Sequence, residues 1–313
     1  MEGLEPHGKK IKAIKGDKWV SRFGIHDGRH IWRTFFLSCS LFFGIIQIAN
    51  AESQWLKLPP TPTLPKAERS GFAQINGAQI WYEVFGQGRP VILLHGGLAN
   101  SNYWGNQVPA LAKHYMVIVM DSRGHGRSTN DGKPYSYDLL ASDTIGLMDF
   151  LKIKKAAIVG WSDGADVGLD IAIHHPERVT KLFSFAANSN VAGEADISNS
   201  PVFNAYIART KIEYQKLSST PKQYQSFYDQ VNKMWSTQPN FTEKQLNSIT
   251  LSTWIVDADH DEAIKRTDTE FMAAAIPNSG LLIQPWVSHF SFLQDPKQFN
   301  SDVLHFLEQK PTW

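Results

Sequence analysis

The segment Ile158-Val159-Gly160-Trp161-Ser162-Asp163-Gly164-Ala165 constrains this chain more than any other. A β-branched run ends in Gly-x-Ser-x-Gly, and a helix-compatible stretch, residues 165–174, follows directly. β-Branched side chains restrict χ1 and favour extended backbone, so the run predicts a strand. A strand that turns at once into a helix brings its flanking positions against neighbouring backbone. Gly160 and Gly164 fit there because a side chain would collide. Such a turn strains the serine backbone and lifts the Ser162 hydroxyl above the sheet edge.

The surrounding sequence supplies a sheet. Residues 72–75 and 79–85 alternate apolar and polar and are joined by Asn76-Gly77, a strong hairpin signal. Residues 91–94, 116–120 and 156–159 are continuous apolar runs, as expected of strands buried on both faces. Helical patterns at 107–113 and 137–151 lie between them, and another core strand follows at 179–186. Residues 188–248 are polar and aromatic, with helices expected at 203–217, 221–235 and 242–247. The sheet pattern resumes at 252–256 and 280–284, and residues 296–309 form a last helix with a stripe of Phe299, Val303, Phe306 and Leu307. The fold class is therefore α/β. It has a mostly parallel central sheet covered by helices on both faces, with a helical lid inserted at about 188–248.

Ahead of this domain, residues 1–33 are basic and polar, an apolar run spans 35–46, and Ala49-Asn50-Ala51 follows. Basic region, short apolar core and A-x-A site predict a secretory signal peptide at 1–51, cleaved after Ala51, and a secreted, periplasmic protein. An uncleaved membrane anchor is the alternative, although the run is shorter than the roughly 20 apolar residues of a spanning helix. Residues 52–70, with Pro59, Pro60, Pro62 and Pro65, read as a linker, and 71–313 as the domain. The formal net charge of +1 gives no reason to expect a nucleic-acid partner. The single cysteine, Cys39, lies in the apolar run, so no disulfide is expected in the domain. No nucleotide loop or His/Cys cluster is present, so neither cofactor nor metal is expected.

At the end of the third strand stands His95-Gly96-Gly97. The backbone N–H of Gly97 can pair with that of Asp163 to form an oxyanion hole, two donors set to stabilise negative charge on a carbonyl oxygen under attack. His95 itself is expected to make structural hydrogen bonds. After the fourth strand comes Asp121-Ser122-Arg123-Gly124-His125-Gly126-Arg127-Ser128. With the HGG and GWSDG segments, this D-x-R-G-x-G-x-S stretch resembles the α/β-hydrolase fold family, in the branch with an inserted lid. The resemblance covers residues 72–309. In that family the D-x-R-G segment is a structural turn, which implies no catalytic role for Asp121 or His125.

The resemblance also implies a catalytic triad in the chain order Ser, acid, His. The acid lies on the loop past the strand at 252–256, within Asp257-Ala258-Asp259-His260-Asp261-Glu262. The family pattern G-x-x-D, here with Ala258 in place of glycine, matches Asp261, with Asp259 as the alternative. Of the later histidines, His289 falls between a strand end and a helix start, where the family places its base, while His305 lies within the last helix. Relatives that use an aspartate at the centre of the elbow, dehalogenases and epoxide hydrolases, are excluded by Ser162. The expected activity is that of a serine hydrolase acting on a carboxylic ester or related small-molecule acyl substrate. Lactone or C–C hydrolysis, perhydrolysis and acyl transfer at the same triad are alternatives, as is a non-catalytic binding module. Tyr103, Trp104 and Trp161 are read as pocket lining or as core.

Overall fold

The computed structural model describes residues 53–309, so the expected export signal and its cleavage site lie outside the described residues. Eight strands form one sheet: β1 (Arg69–Ile75), β2 (Ala78–Phe85), β3 (Pro90–Leu94), β4 (Met116–Met120), β5 (Ala156–Trp161), β6 (Val179–Phe185), β7 (Ser252–Ala258) and β8 (Ser279–Gln284). Their order across the sheet is β1-β2-β4-β3-β5-β6-β7-β8. β2 pairs antiparallel with β1 and with β4, and every other pairing is parallel. The helices are α1 (Val108–Leu111), α2 (Tyr137–Phe150), α3 (Asp163–His174), α4 (Pro201–Leu217), α5 (Tyr224–Trp235), α6 (Glu243–Asn247), α7 (Arg266–Ala275), α8 (Ser291–Gln294) and α9 (Pro296–Glu308).

The continuous apolar strands are explained by a core on each face. Ile92, Ile118, Ile158 and Leu182 pack on one side with Leu147 of α2 and Leu169 of α3. Their chain neighbours Leu93, Val119, Val159 and Phe183 pack on the other with Val108 of α1 and Phe299 and Phe306 of α9. Strand side chains alternate between faces, so a strand covered on both must be apolar at every position. At the edge, Asn76 and Gly77 both take positive φ, 47° and 83°, as the tight β1–β2 turn requires.

The inserted segment between β6 and β7 contains α4, α5 and α6, in the range expected for the lid. Two helices depart from the sequence expectation. α7 carries no clear apolar stripe because it buries polar residues: Asp268 accepts from Ser189 N–H and Oγ at 2.6 Å each, and Thr269 donates to Asp257 at 2.9 Å. The helix expected at 107–113 shrinks to α1, preceded by a 3₁₀ turn at Ser101–Asn106.

The segment read as a linker is also different. Residues 69 and 70 belong to β1, and the Pro-rich stretch before them lies along the domain. Arg209 of α4 donates to the carbonyls of Pro59 and Leu58 at 2.6 and 2.9 Å, while Leu58 and Leu64 pack on the core. Proline supplies a carbonyl without an N–H, so such a stretch binds through an external donor, a pairing that composition does not reveal.

At the elbow, the start of α3 runs against two strands. A Cβ on Gly164 would lie 2.1 Å from the Leu94 carbonyl oxygen, and one on Gly160 would lie 2.3 Å from the Gly164 oxygen. Backbone atoms cannot swing aside as a flexible side chain can, so Gly164→Ala must push β3 from α3. We expect a loss of about 3 kcal/mol or more in unfolding free energy, measured by urea titration; a loss within experimental error would contradict this packing.

Candidate active site

Ser162 joins β5 to α3 with φ 55° and ψ −125°, a region that a residue with a side chain occupies only under constraint. Its N–H donates to Phe185 O at 2.9 Å, and its carbonyl accepts from Ala165 and Asp166 at 2.6 and 3.1 Å. These bonds tie the strained residue to β6 on one side and to the first turn of α3 on the other.

His289 follows β8 and Asp261 follows β7, and the parallel pairing of those strands brings the two loops together. His289 Nδ1 lies 2.8 Å from Asp261 Oδ2, with the side chains only 2% and 1% exposed. The other Asp261 oxygen accepts the N–H groups of Ala263 and Ile264 at 2.7 and 2.9 Å. Burial raises the Asp261 carboxyl, but the imidazole and these donors outweigh it and hold the group below its ordinary value. Burial lowers His289, yet the charge and hydrogen bond of Asp261 leave it above its ordinary value. With Nδ1–H donated to Asp261, Nε2 is the basic nitrogen.

Ser162 and His289 line one cavity of about 90 Å³, with Asp163, Asn188, Glu194, Phe203, Trp235 and Ile264 among its walls. Phe203 of the lid stacks obliquely near His289, ring centroids 5.2 Å apart.

The HGG loop packs on the elbow: a Cβ on Gly96 would meet Ser162 Cβ and the Trp161 ring at 3.1 Å. His95 is a strap beneath this loop, as the sequence suggested. Its Nε2 accepts from the Ser122 N–H at 2.9 Å, which places the proton on Nδ1, and Nδ1–H donates to the Gly96 carbonyl at 2.7 Å. Burial lowers its pKa and keeps the ring neutral. The peptide unit whose carbonyl it holds is the one that carries the Gly97 N–H.

The D-x-R-G turn is a buried polar scaffold. Asp121 accepts from Ser101 N–H and Oγ and from Arg127, while Arg123 forks onto Asp143 at 2.8 and 2.7 Å. His125, its pKa pushed down to about 3 by burial, donates Nδ1–H to the Arg123 carbonyl at 2.9 Å and is not among the cavity walls. Asp259, the alternative acid, is exposed and accepts the Val287 N–H at 3.3 Å. His305 is exposed on α9 and bonds Gln309. Tyr103, Trp104 and Trp161 are core residues, each at most 1% exposed.

The structure adds two carboxyl side chains, of Asp163 and Glu194, to which the sequence assigned no role. Asp163, the residue after the serine, has a buried side chain whose Oδ1 accepts from Trp235 Nε1 at 2.8 Å and Tyr137 at 3.2 Å. Among the described residues its Oδ2 is buried without a hydrogen-bond partner. Burial pushes this carboxyl up to about 6, and burial plus the neighbouring Asp163 pushes Glu194 up to about 7. Glu194 lies in the lid insertion, and no local pattern marks it.

Comparison with known proteins bears on the fold and the activity. Residues 89–213 match the family model for the alpha/beta hydrolase fold. The serine hydrolase BPHL of Mus musculus is 26% identical over 267 residues, covering 80% of this chain and 90% of the relative. A non-heme haloperoxidase of Rhodococcus erythropolis is 26% identical over 269 residues, covering 74% and 97%. Among solved structures, the CarC serine hydrolase involved in carbazole degradation superposes with a TM-score of 0.66 at 25% identity, covering 77% of this chain and 99% of that one. The chain belongs to the α/β-hydrolase superfamily. It is an enzyme, a serine hydrolase.

A base at Nε2 works only when neutral, so kcat/KM should rise with pH through the His289 pKa, with a midpoint above 6.5. Asp261→Asn removes the anion that raises this value and holds the tautomer; it should lower kcat about 10⁴-fold and move the midpoint down. Steady-state pH profiles of both proteins check this, and an unchanged midpoint in the variant would place the acid elsewhere.

Proposed function

We propose that the protein hydrolyses carboxylic esters or closely related acyl substrates through an acyl-enzyme on Ser162. The observation that carries this reading is the buried His289–Asp261 pair facing the same cavity as a serine held at φ 55°. His289 Nε2 takes the Ser162 proton as Oγ attacks the acyl carbonyl. The backbone N–H groups of Gly97 and Asp163 receive the developing negative oxygen, and each such donor contributes about 3 kcal/mol to the barrier reduction. The imidazolium returns the proton to the leaving oxygen, and water then enters by the same route to release the acid.

The cavity also bears on the substrate. Among the described residues its walls include Asp163 and Glu194 and neither lysine nor arginine. Carboxyls in such a setting favour a substrate part that is cationic or donates hydrogen bonds, and oppose an acidic one. Phe203, Ile197 and Ile264 complete an apolar wall for the remainder of a small group. We further propose that the protein is exported, on the strength of the N-terminal pattern at residues 1–51; N-terminal sequencing of the cell-derived protein should then begin at Glu52.

A fluorophosphonate probe followed by peptide mapping tests the nucleophile. One adduct on Ser162 is expected, and Ser162→Ala should lose both adduct and turnover while keeping its melting temperature. Turnover near wild type in that variant would refute the assignment. For the pocket, an ammonium-bearing ester and its methyl isostere should be compared. Their kcat/KM ratio should rise as pH passes about 6 to 7 and the two carboxyls ionise. A flat ratio would remove Asp163 and Glu194 from substrate recognition.

A further inference from the structure

Two lid side chains, from two different helices, make their polar contacts on the pair of residues assigned to the oxyanion hole. Tyr206 of α4 is buried and donates its hydroxyl to the Gly97 carbonyl at 2.5 Å. Trp235, the last residue of α5, donates Nε1–H to Asp163 Oδ1 at 2.8 Å. Its ring also lies directly on Gly97: a Cβ there would meet Trp235 Cζ2 at 2.4 Å and Asp163 Oδ2 at 2.6 Å.

Position 97 therefore admits only glycine, and glycine has the freest backbone of any residue. That freedom works against an oxyanion donor, which stabilises charge only if it is aimed before the reaction begins. Two hydrogen bonds remove it. The peptide unit before the Gly97 Cα is pinned by His95 at the Gly96 carbonyl, and the unit after it is pinned by Tyr206 at the Gly97 carbonyl. Rotation about either bond of Gly97 would break one of them. The first anchor belongs to the sheet domain, and the second belongs to the lid.

We infer that the lid is a working part of the oxyanion hole, with Tyr206 as a positioning residue on the Gly97 carbonyl and Trp235 as one that covers Gly97 and bonds the Asp163 carboxyl, together holding the Gly97 peptide in its reactive orientation. This rests on the triad reading above and adds to it a coupling between lid seating and transition-state stabilisation. When the lid lifts, the Gly97 donor loses one of its two anchors, so the site is fully formed only with the lid in place. Tyr206 is well built for this: Tyr103, Trp161 and Phe290 surround its ring with centroids 5.0 to 5.9 Å away, which fixes the direction of the hydroxyl.

The test is Tyr206→Phe, which keeps the ring and deletes the donor. kcat should fall about 10-fold with KM little changed, because the lost bond matters most when charge sits on the oxygen. Affinity for a trifluoromethyl ketone, which forms an anionic adduct on the serine, should fall in parallel, while affinity for the matching methyl ketone should hold. A structural role alone would not separate those two ketones. Unchanged kcat and unchanged trifluoromethyl ketone affinity would overturn the inference, as would an equal loss for both ketones. Should Tyr206→Phe fail to fold, Trp235→Phe, which removes Nε1–H together with the part of the ring that lies on Gly97, is read by the same ketone pair. Wild-type labelling by the fluorophosphonate separates the two readings: if Ser162 is not labelled, the triad assignment has failed; if it is labelled and the ketone discrimination persists in the variant, only the lid inference has failed.

Discussion

The close backbone approach of α3 to β3 and β5 is the constraint on which the site depends. With Gly164 against the Leu94 carbonyl and Gly160 against Gly164, the chain has no route from strand to helix except through the strained Ser162. The same approach sets the HGG loop beside the elbow, so that one loop end and one helix start converge on the space above the serine. The bonds from Phe185, Ala165 and Asp166 hold the strain in place. Strain of this kind persists only where surrounding structure over-determines the conformation.

Below that space lies a layer of buried polar groups with defined partners. Ser122, His95 and the Gly96 carbonyl form one chain of hydrogen bonds, and Asp121, Ser101 and Arg127 form a second. Arg123 adds a forked pair with Asp143. Burying such groups is costly unless they are satisfied, and satisfied networks make the surrounding backbone rigid. Here the rigid backbone is the one from which the Gly97 N–H projects. The lid then fixes the other side of the same glycine through Tyr206.

The charges divide by function. Asp261 is held down by donors and by His289, so it stays ionised and keeps the imidazole basic. Asp163 and Glu194 are pushed up, to about 6 and about 7, because the loss of solvation on burial outweighs the Trp235 and Tyr137 donors and the nearby His289 at Asp163, and is reinforced by the Asp163 charge at Glu194. Asp257, behind Asp261, is raised by burial and by that neighbour's charge, so the negative charge at the triad resides on Asp261. Carboxyls a few residues apart thus hold their protons to different degrees, and the difference comes from solvent access and neighbours.

The sequence alone determined the layered sheet, since continuous apolar runs satisfy only strands covered on both faces, and the elbow, since Gly-x-Ser-x-Gly between strand and helix leaves little conformational choice. Chain order was enough to nominate Asp261 and His289 once the family pattern was recognised. Only the tertiary structure brought those two to 2.8 Å and left Asp259 and His305 outside, because parallel β7 and β8 carry their loops to the same end of the sheet. It also decided what periodicity could not show. α7 buries polar residues, the Pro-rich arm is held by Arg209, Glu194 and Trp235 of the lid insertion line the serine's cavity, and Tyr206 of the same insertion bonds the Gly97 carbonyl. The physical reason is range. Strands, turns and caps are set by neighbours in sequence, whereas a carboxyl facing a cavity or a tyrosine on a distant carbonyl is set by packing between segments far apart in the chain.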